Sequence, residues 1–450
     1  MNETKKTINK KKIIFPIVGI IILIPIVVCF VLALKNHISG KSSSSSNSNS
    51  DSETTNISYN ITSGGTHKIT GENSCIAIKT TESVELDIED ATITCENGPA
   101  IYIDSAKDVN IVLSGNNSIT SKTYEKLDGA IYSKVDLNIS GTGSLTLTSN
   151  YDGIVSKDNL VINGGTYTIT SDDDGIRGKN SVEIIDGTFN INASSDGIKA
   201  TDETDDSNGY INITGGTYKI NSANDGIQAT TNLTIKDGNF DIKTTSTSNN
   251  DSAKGLKAGN LIKIEKGIYV VNTTDDSIHS NGNIVIENGT YTITSKDDGI
   301  HADGMIEIKN GTFNITAAEG IEATYVKIND GKINISASDD GINTGNKSDK
   351  YSVKIEINGG DITINMGQGD TDGVDSNGDI IINGGTISVT GQSTFDYDGT
   401  GTINGGTVIC NGEKVTTLPN QMMGGPGGNG GNMGQGPNDR MNGNRGNRMR

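Results

Sequence analysis

The chain of 450 residues contains no Trp, only 4% aromatic residues, four Cys and four His, and its body has far fewer bases than acids. Each shortage excludes something. With 32% hydrophobic residues and so few large rings, several compact cores of the usual kind cannot be assembled, whereas a repeat architecture buries a thin continuous core with less. The missing Trp argues against a flat aromatic platform for crystalline cellulose. The formal net charge is −19. Residues 1–38 carry +5 and residues 424–450 carry +3, which leaves −27 on residues 39–423. A body this acidic repels nucleic acid, and cations are its natural partners. The Cys are equally sparing. Cys29 lies in an apolar run, Cys75 and Cys95 are 20 residues apart, a spacing open to a disulfide between adjacent repeats, and Cys410 falls in an inward column where a buried thiol is expected.

There is one long apolar run, IIFPIVGIIILIPIVVCFVLAL at 13–34, preceded by a Lys-rich segment at 1–12. Its 22 uncharged residues are enough to cross a bilayer, and the Lys cluster keeps the N-terminus cytoplasmic, so a single-pass anchor with an extracellular body is expected. A cleaved signal peptide is the competing reading, disfavoured by the length of the run and the lack of an A-x-A-like site. A Ser/Asn-rich linker (35–58) should tether the body, and the Gly/Asn/Met-rich tail (416–450) should be disordered.

Between these ends the sequence repeats. Residues 171–192 read SDDDGIRGKNSVEIIDGTFNIN and residues 295–316 read SKDDGIHADGMIEIKNGTFNIT. An acid opens each corner at Asp152, Asp174, Asp196, Asp225, Asp276, Asp298, Glu319, Asp340 and Asp372, with Lys254 in that slot once. The spacing is about 22, lengthened by insertions at 201–209, 245–253 and 343–351. An Ile recurs without exception from Ile162 to Ile403, and an aromatic column (Tyr167, Phe189, Tyr218, Phe240, Tyr269, Tyr291, Phe313) shares a strand face with an Ile/Val column, which marks both as core. No 3.6 period persists and Thr, Ile, Val, Asn and Gly dominate, which excludes helical repeats. The expected fold is all-β, a parallel β-helix over residues 59–415, right-handed as the commoner form, with roughly 15 turns and a looser cap in the first turns, 64–130.

The acid before the corner is explained by turn chemistry alone, with Gly accepting positive φ and Asp bonding nearby amides. The doublets Asp173–Asp174, Asp275–Asp276, Asp297–Asp298 and Asp339–Asp340 are harder to explain, since carboxylates stacked about 4.8 Å apart repel by about 3.5 kcal/mol per pair at an effective dielectric of 20. Ca²⁺ is the expected relief outside a cell. Asp275, Asp276, Asp297 and Asp298 form the first candidate site, and Asp370, Asp372 and Asp375 with Asp339 and Asp340 the second. Three residues past each acid runs a mixed column in which Arg177, Lys199, Lys257, His279 and His301 are candidates for gripping a polymer. With no Cys nearby, the His pair reads as a stacked polar face rather than a transition-metal site.

These DDGIxA corners, the INGGTYTIT strands, the Ser/Asn tether and the Gly/Asn/Met-rich tail resemble the carbohydrate-binding domain-containing proteins of cellulose-degrading clostridia. The resemblance spans about residues 60–450. It implies a right-handed parallel β-helix that binds Ca²⁺ between turns and attaches to cellulose and pectic acids, with a distant likeness to Ca²⁺-dependent pectate lyases. It assigns the paired Asp at 173/174, 275/276, 297/298 and 339/340 to the family's acidic motif, from which Lys254 departs. The expected function is a monomeric, cell-surface, Ca²⁺-dependent protein for pectic or cellulosic polysaccharide. A pectate-lyase-like enzyme using Lys254, Lys257 or Arg177 as base is the alternative, and a passive adhesin or spacer is the third reading.

Overall fold

The computed structural model describes residues 59–420 except 123–125, 249–251 and 369–370. The expected anchor at 13–34, the linker, residues 421–450 of the tail and Asp370 lie outside the described residues. The described chain is all-β. Forty strands join in one hydrogen-bonded sheet, and no helix forms among the described residues.

The repeat decides the pairing. Most units contribute three strand segments, two of which run on as one strand in places such as Asn159–Ser171 and Ser181–Ala193, and segments pair in parallel with their counterparts one unit on, giving three ladders. In the ladder after the acidic corner, fourteen successive pairings link fifteen strands from Tyr59–Ile61 to Ser393–Tyr397. The first units, expected to be a looser cap, join these ladders from Tyr59 onward. Their irregular loop lengths hid the period. Cys75 and Cys95, at the two ends of one unit, form a disulfide.

Because the register is kept, identical slots stack. The Ile column pairs residue on residue, Ile162 with Ile184, Ile184 with Ile213 and onward to Ile382 with Ile403. All are buried except Ile403, half-exposed in the last strand of its ladder, and Cys410 is likewise half-exposed rather than the buried thiol expected. The seven aromatic rings form one stack with centroids 4.5–5.1 Å apart and planes within 5° of parallel, buried beside the Ile/Val column. A short antiparallel hairpin, Thr407–Cys410 with Glu413–Val415, covers part of the final edge.

The two glycines that most units carry do different work, and here the sequence expectation needs correction; Ser277 takes the corner slot once. The corner glycine after the acid does not need positive φ; it needs space, since a Cβ on Gly175 would sit 2.5 Å from Ile191 Cγ2 and 2.6 Å from the Gly197 carbonyl oxygen. Positive φ belongs to the second glycine, for example Gly187 at 146°, where a Cβ would also strike the Phe189 ring at 2.8 Å. The aromatic two residues later is thus seated over a bare backbone.

Thermal or denaturant unfolding should separate these roles. Ile213→Ala should cost about 2–5 kcal/mol, as for other buried large-to-small changes. Thr290→Ala on the exposed face should stay within about 0.5 kcal/mol of the parent.

Candidate functional site

The ladders bring the acid column and the mixed column together along one corner. Within each doublet the two acids part. Asp174, Asp276 and Asp298 are buried, whereas Asp173 and Asp275 are half-exposed and Asp297 and Asp339 exposed; Asp340, the inner acid of the fourth doublet, is only half-buried. The inner acid is built into the backbone. Oδ1 of Asp152 accepts the amide N–H of Asp174 at 2.9 Å, Asp174 accepts that of Asp196 at 3.0 Å, and Asp196 that of Asp225 at 2.8 Å. The series continues from Asp225 to the amide of Lys254 (2.8 Å), from Asp276 to Asp298 (3.1 Å) and from Asp340 to Asp372 (3.0 Å).

The other carboxylate oxygen meets a base three residues further along or one unit away. Lys199 Nζ lies 2.6 Å from Asp196, Lys257 Nζ 3.0 Å from Asp225, and His279 Nδ1 2.8 Å from Asp276. Arg177 donates to Asp152 at 2.7 Å and to Asp128 at 2.6 Å, and His301 Nδ1 lies 2.7 Å from Asp298. The five residues expected to grip a polymer are thus tied to the acids beneath them. Lys254, which replaces an acid, reaches Asp275 at 2.7 Å and Asp276 at 3.0 Å. Like-charge stacking is therefore partly offset over residues 152–301 by side chains of the protein itself.

Further along, the slot carries Glu322, Asn343, Asp375 and Asp396 in register, and the bases run out. Burial first, then neighbouring carboxylates, push Asp340 up to about 7 and Asp375 up to about 6. Burial, and then Glu322 and Asp298, also raise Glu319. Asp152 is raised to about 7 by burial, against the pull of Arg177. Asp276 goes the other way, since His279, Lys254 and His301 outweigh its burial.

Four sets of ligand atoms lie within 4.8 Å of one another among the described residues: Asp152/Asp173/Asp174, Asp275/Asp276/Asp297, Asp276/His279/His301 and Asp298/His301/Glu322. The second expected Ca²⁺ set, Asp339, Asp340, Asp372 and Asp375, is not drawn together to this extent. Sequence reading missed Asp128, Lys347 and Asp396 as parts of this corner. Asp128–Gly129 was the available signal, an acid-glycine corner one unit before Asp152. It also missed Tyr102 and Tyr132, which occupy the mixed column in the first units under Lys134 and Lys157. Two shallow clefts lined mostly by hydroxyl, amide and methyl groups, with one charged side chain each (Asp172 and Lys296), run along Thr170–Asp172, Asn192–Ser194 and Asn221–Ala223 and along Thr316–Ala318, Ser336–Ser338 and Asn365–Gly367.

A family model described as carbohydrate-binding domain-containing protein matches residues 55–299 and 293–417. The chain belongs to that family. In this carbohydrate-binding domain-containing protein the matched residues include both clefts and the whole acidic corner. No curated protein matches the chain. Among solved structures, a polysaccharide lyase-like protein from C. thermocellum, determined as a gadolinium derivative, is 30% identical over 46% of this chain and 87% of its own, with a TM-score of 0.42.

Two outcomes are expected. Arg177→Met should cost about 3–5 kcal/mol near pH 8 by leaving Asp152 buried and unpaired, and Arg177→Met with Asp152→Asn should recover most of it. With divalent cations chelated, the melting temperature should fall between pH 5 and pH 8. The raised carboxyls Asp152, Asp340 and Asp375 keep protons in the folded chain that the unfolded chain has already released, so rising pH strips the folded state alone through about pH 6–7. A flat or rising profile over that window would contradict the assignment.

Proposed function

We propose that this carbohydrate-binding domain-containing protein is a cell-surface, Ca²⁺-dependent polysaccharide-binding protein, and that its three ladders are the faces of a parallel β-helix. Residues 13–34 anchor it, with the body outside the membrane. The observation that carries the reading is the division of labour within the doublets. Inner acids give an oxygen to the backbone of the next unit, while Asp173, Asp275, Asp297 and Asp339 are more accessible, and three of them directly follow residues (Asp172, Lys296, Ser338) that line clefts whose Ser, Thr and Asn side chains suit sugar hydroxyls.

An edge of carboxylates repels an acidic glycan unless a cation stands between them. Ca²⁺ accepts six to eight oxygens in loose geometry. The Asp275/Asp276/Asp297 set offers all-oxygen donors within 4.8 Å of one another, leaving further positions for glycan carboxylates. Lys254 Nζ lies against two of these acids, so Ca²⁺ binding there requires the ammonium to swing away. Polygalacturonate-like chains are the favoured ligand class. Neutral cellulosic chains, hydrogen-bonded directly to the outer carboxylates, are the second reading, supported by the same clefts. Lyase chemistry asks for an unencumbered base, and Arg177, Lys254 and Lys257 are each paired with carboxylates.

The test is calorimetric titration of the full chain with polygalacturonate, once with Ca²⁺ and once after chelation, alongside soluble cellulose oligosaccharides. Binding only with Ca²⁺ is expected, weakened roughly tenfold or more by Asp275→Asn with Asp297→Asn. Polygalacturonate binding that survives chelation unchanged would overturn the bridging model, and cellulose oligosaccharide binding without Ca²⁺ would select the second reading. Release of unsaturated, ultraviolet-absorbing uronides would establish a lyase instead.

A further inference from the structure

Midway along the mixed column the residue type changes. On three consecutive units the slot holds His279, His301 and Glu322, paired in register, between the Lys and Arg of the preceding units and the Asn and Asp of the following ones. The two imidazole rings stack with centroids 4.9 Å apart. Lys or Arg in this slot offers only protons. An imidazole can instead offer a lone pair, and the groups around His301 converge as ligands do.

Asp298 Oδ2 and Glu322 Oε2 approach the same ring nitrogen, His301 Nδ1, at 2.7 and 2.9 Å. That nitrogen carries at most one N–H, yet two carboxylate oxygens are aimed at it. A third carboxylate, Asp303 Oδ1, lies 3.5 Å from Nε2. The far oxygen of Glu322 is held by Lys347 at 2.6 Å, which orients the carboxylate and leaves Oε2 directed at the ring. All three side chains are largely buried and are carried by strands or by the corner next to one, so the arrangement is prepared rather than assembled from mobile loops. In a four-coordinate site with bonds of about 2.0–2.1 Å, ligand atoms stand about 3.3 Å apart, so each carboxylate needs to draw back from His301 Nδ1 by only roughly half an ångström to admit an ion. Next to it, His279 Nδ1 lies 2.8 Å from Asp276 Oδ2, and Asp276, His279 and His301 also bring ligand atoms within 4.8 Å of one another.

We propose that His301 Nδ1, Asp298 and Glu322 form a binding site for a borderline divalent transition metal of the Zn²⁺/Co²⁺ type, with His279 and Asp276 beside it. Mixed imidazole and carboxylate donors select such ions over Ca²⁺, which takes oxygen ligands. This site is distinct in chemistry from the outer-acid edge, and it stands or falls independently of glycan binding.

The experiment is titration of the chelator-treated full chain with CoCl₂ followed by visible absorption, repeated with ZnCl₂ as competitor. A ligand-field band that saturates at one Co²⁺ per chain, is abolished by Zn²⁺ and survives excess Ca²⁺ is expected. His301→Gln should remove the band, Glu322→Gln, which keeps a hydrogen-bond acceptor for Lys347, should weaken Co²⁺ roughly tenfold or more, and His67→Gln, far along the chain and half-exposed, should change nothing. Circular dichroism confirms that each variant is folded. No band in the parent chain, a band unaltered by both His301→Gln and Glu322→Gln, or displacement by Ca²⁺ would overturn the proposal.

Discussion

The structure depends on one constraint, the strict parallel register that sets every residue about one strand spacing, roughly 4.8 Å, above its counterpart in the preceding unit. Stacking like on like multiplies whatever the slot contains. Ile on Ile and ring on ring give a continuous apolar column with no large cavity to fill, which is how a chain with 4% aromatic residues and no Trp sustains a long core. Amide on amide gives a ladder in which Asn404 donates to Asn383, Asn383 to Asn358 and Asn358 to Asn329 at 2.8–3.0 Å. Charge on charge is the one case in which repetition is unfavourable.

The acidic corner shows how that cost is met. From Asp152 to Asp276 the inner carboxylates use one oxygen to hold the amide of the next unit and the other to face a cationic group, so that an array that would repel itself becomes part of the backbone scaffold. Burial raises several of these carboxyls even beside a base, as at Asp152, and where the bases end, around Asp340 and Asp375, proton retention is the remedy that is left. Fold and function then share the doublet. The inner acid gives one oxygen to the scaffold and has only the other to offer, whereas the outer one stays more accessible to solvent.

Much of this was legible in the sequence because register converts columns into contacts. The Ile column, the aromatic stack and the acid repeat could be read directly, since a slot that repeats every 22 residues announces its own burial. What could not be read was the relation between columns. Residues Arg177, Lys199, Lys257, His279 and His301 looked like a ligand-facing row because a strand pattern fixes only which face a side chain takes, and not that a long side chain three residues past a corner folds back onto the corner acid. The same limit misassigned the glycines, because the need for space at Gly175 arises from a neighbouring unit's carbonyl and an Ile methyl rather than from its own backbone angles. The early units, with uneven loops, concealed Asp128 and the Tyr102–Tyr132 pair altogether.

The most direct test of the account is to neutralise the outer acids together, Asp173→Asn, Asp275→Asn, Asp297→Asn and Asp339→Asn, and to measure melting temperature and Ca²⁺-dependent glycan binding on the same preparation. The account predicts a melting temperature at or above that of the parent, since repulsion is relieved and the inner ladder is untouched, with glycan binding lost. Unfolding of the variant, or full retention of Ca²⁺-dependent binding, would contradict the separation of a structural inner acid from a functional outer one.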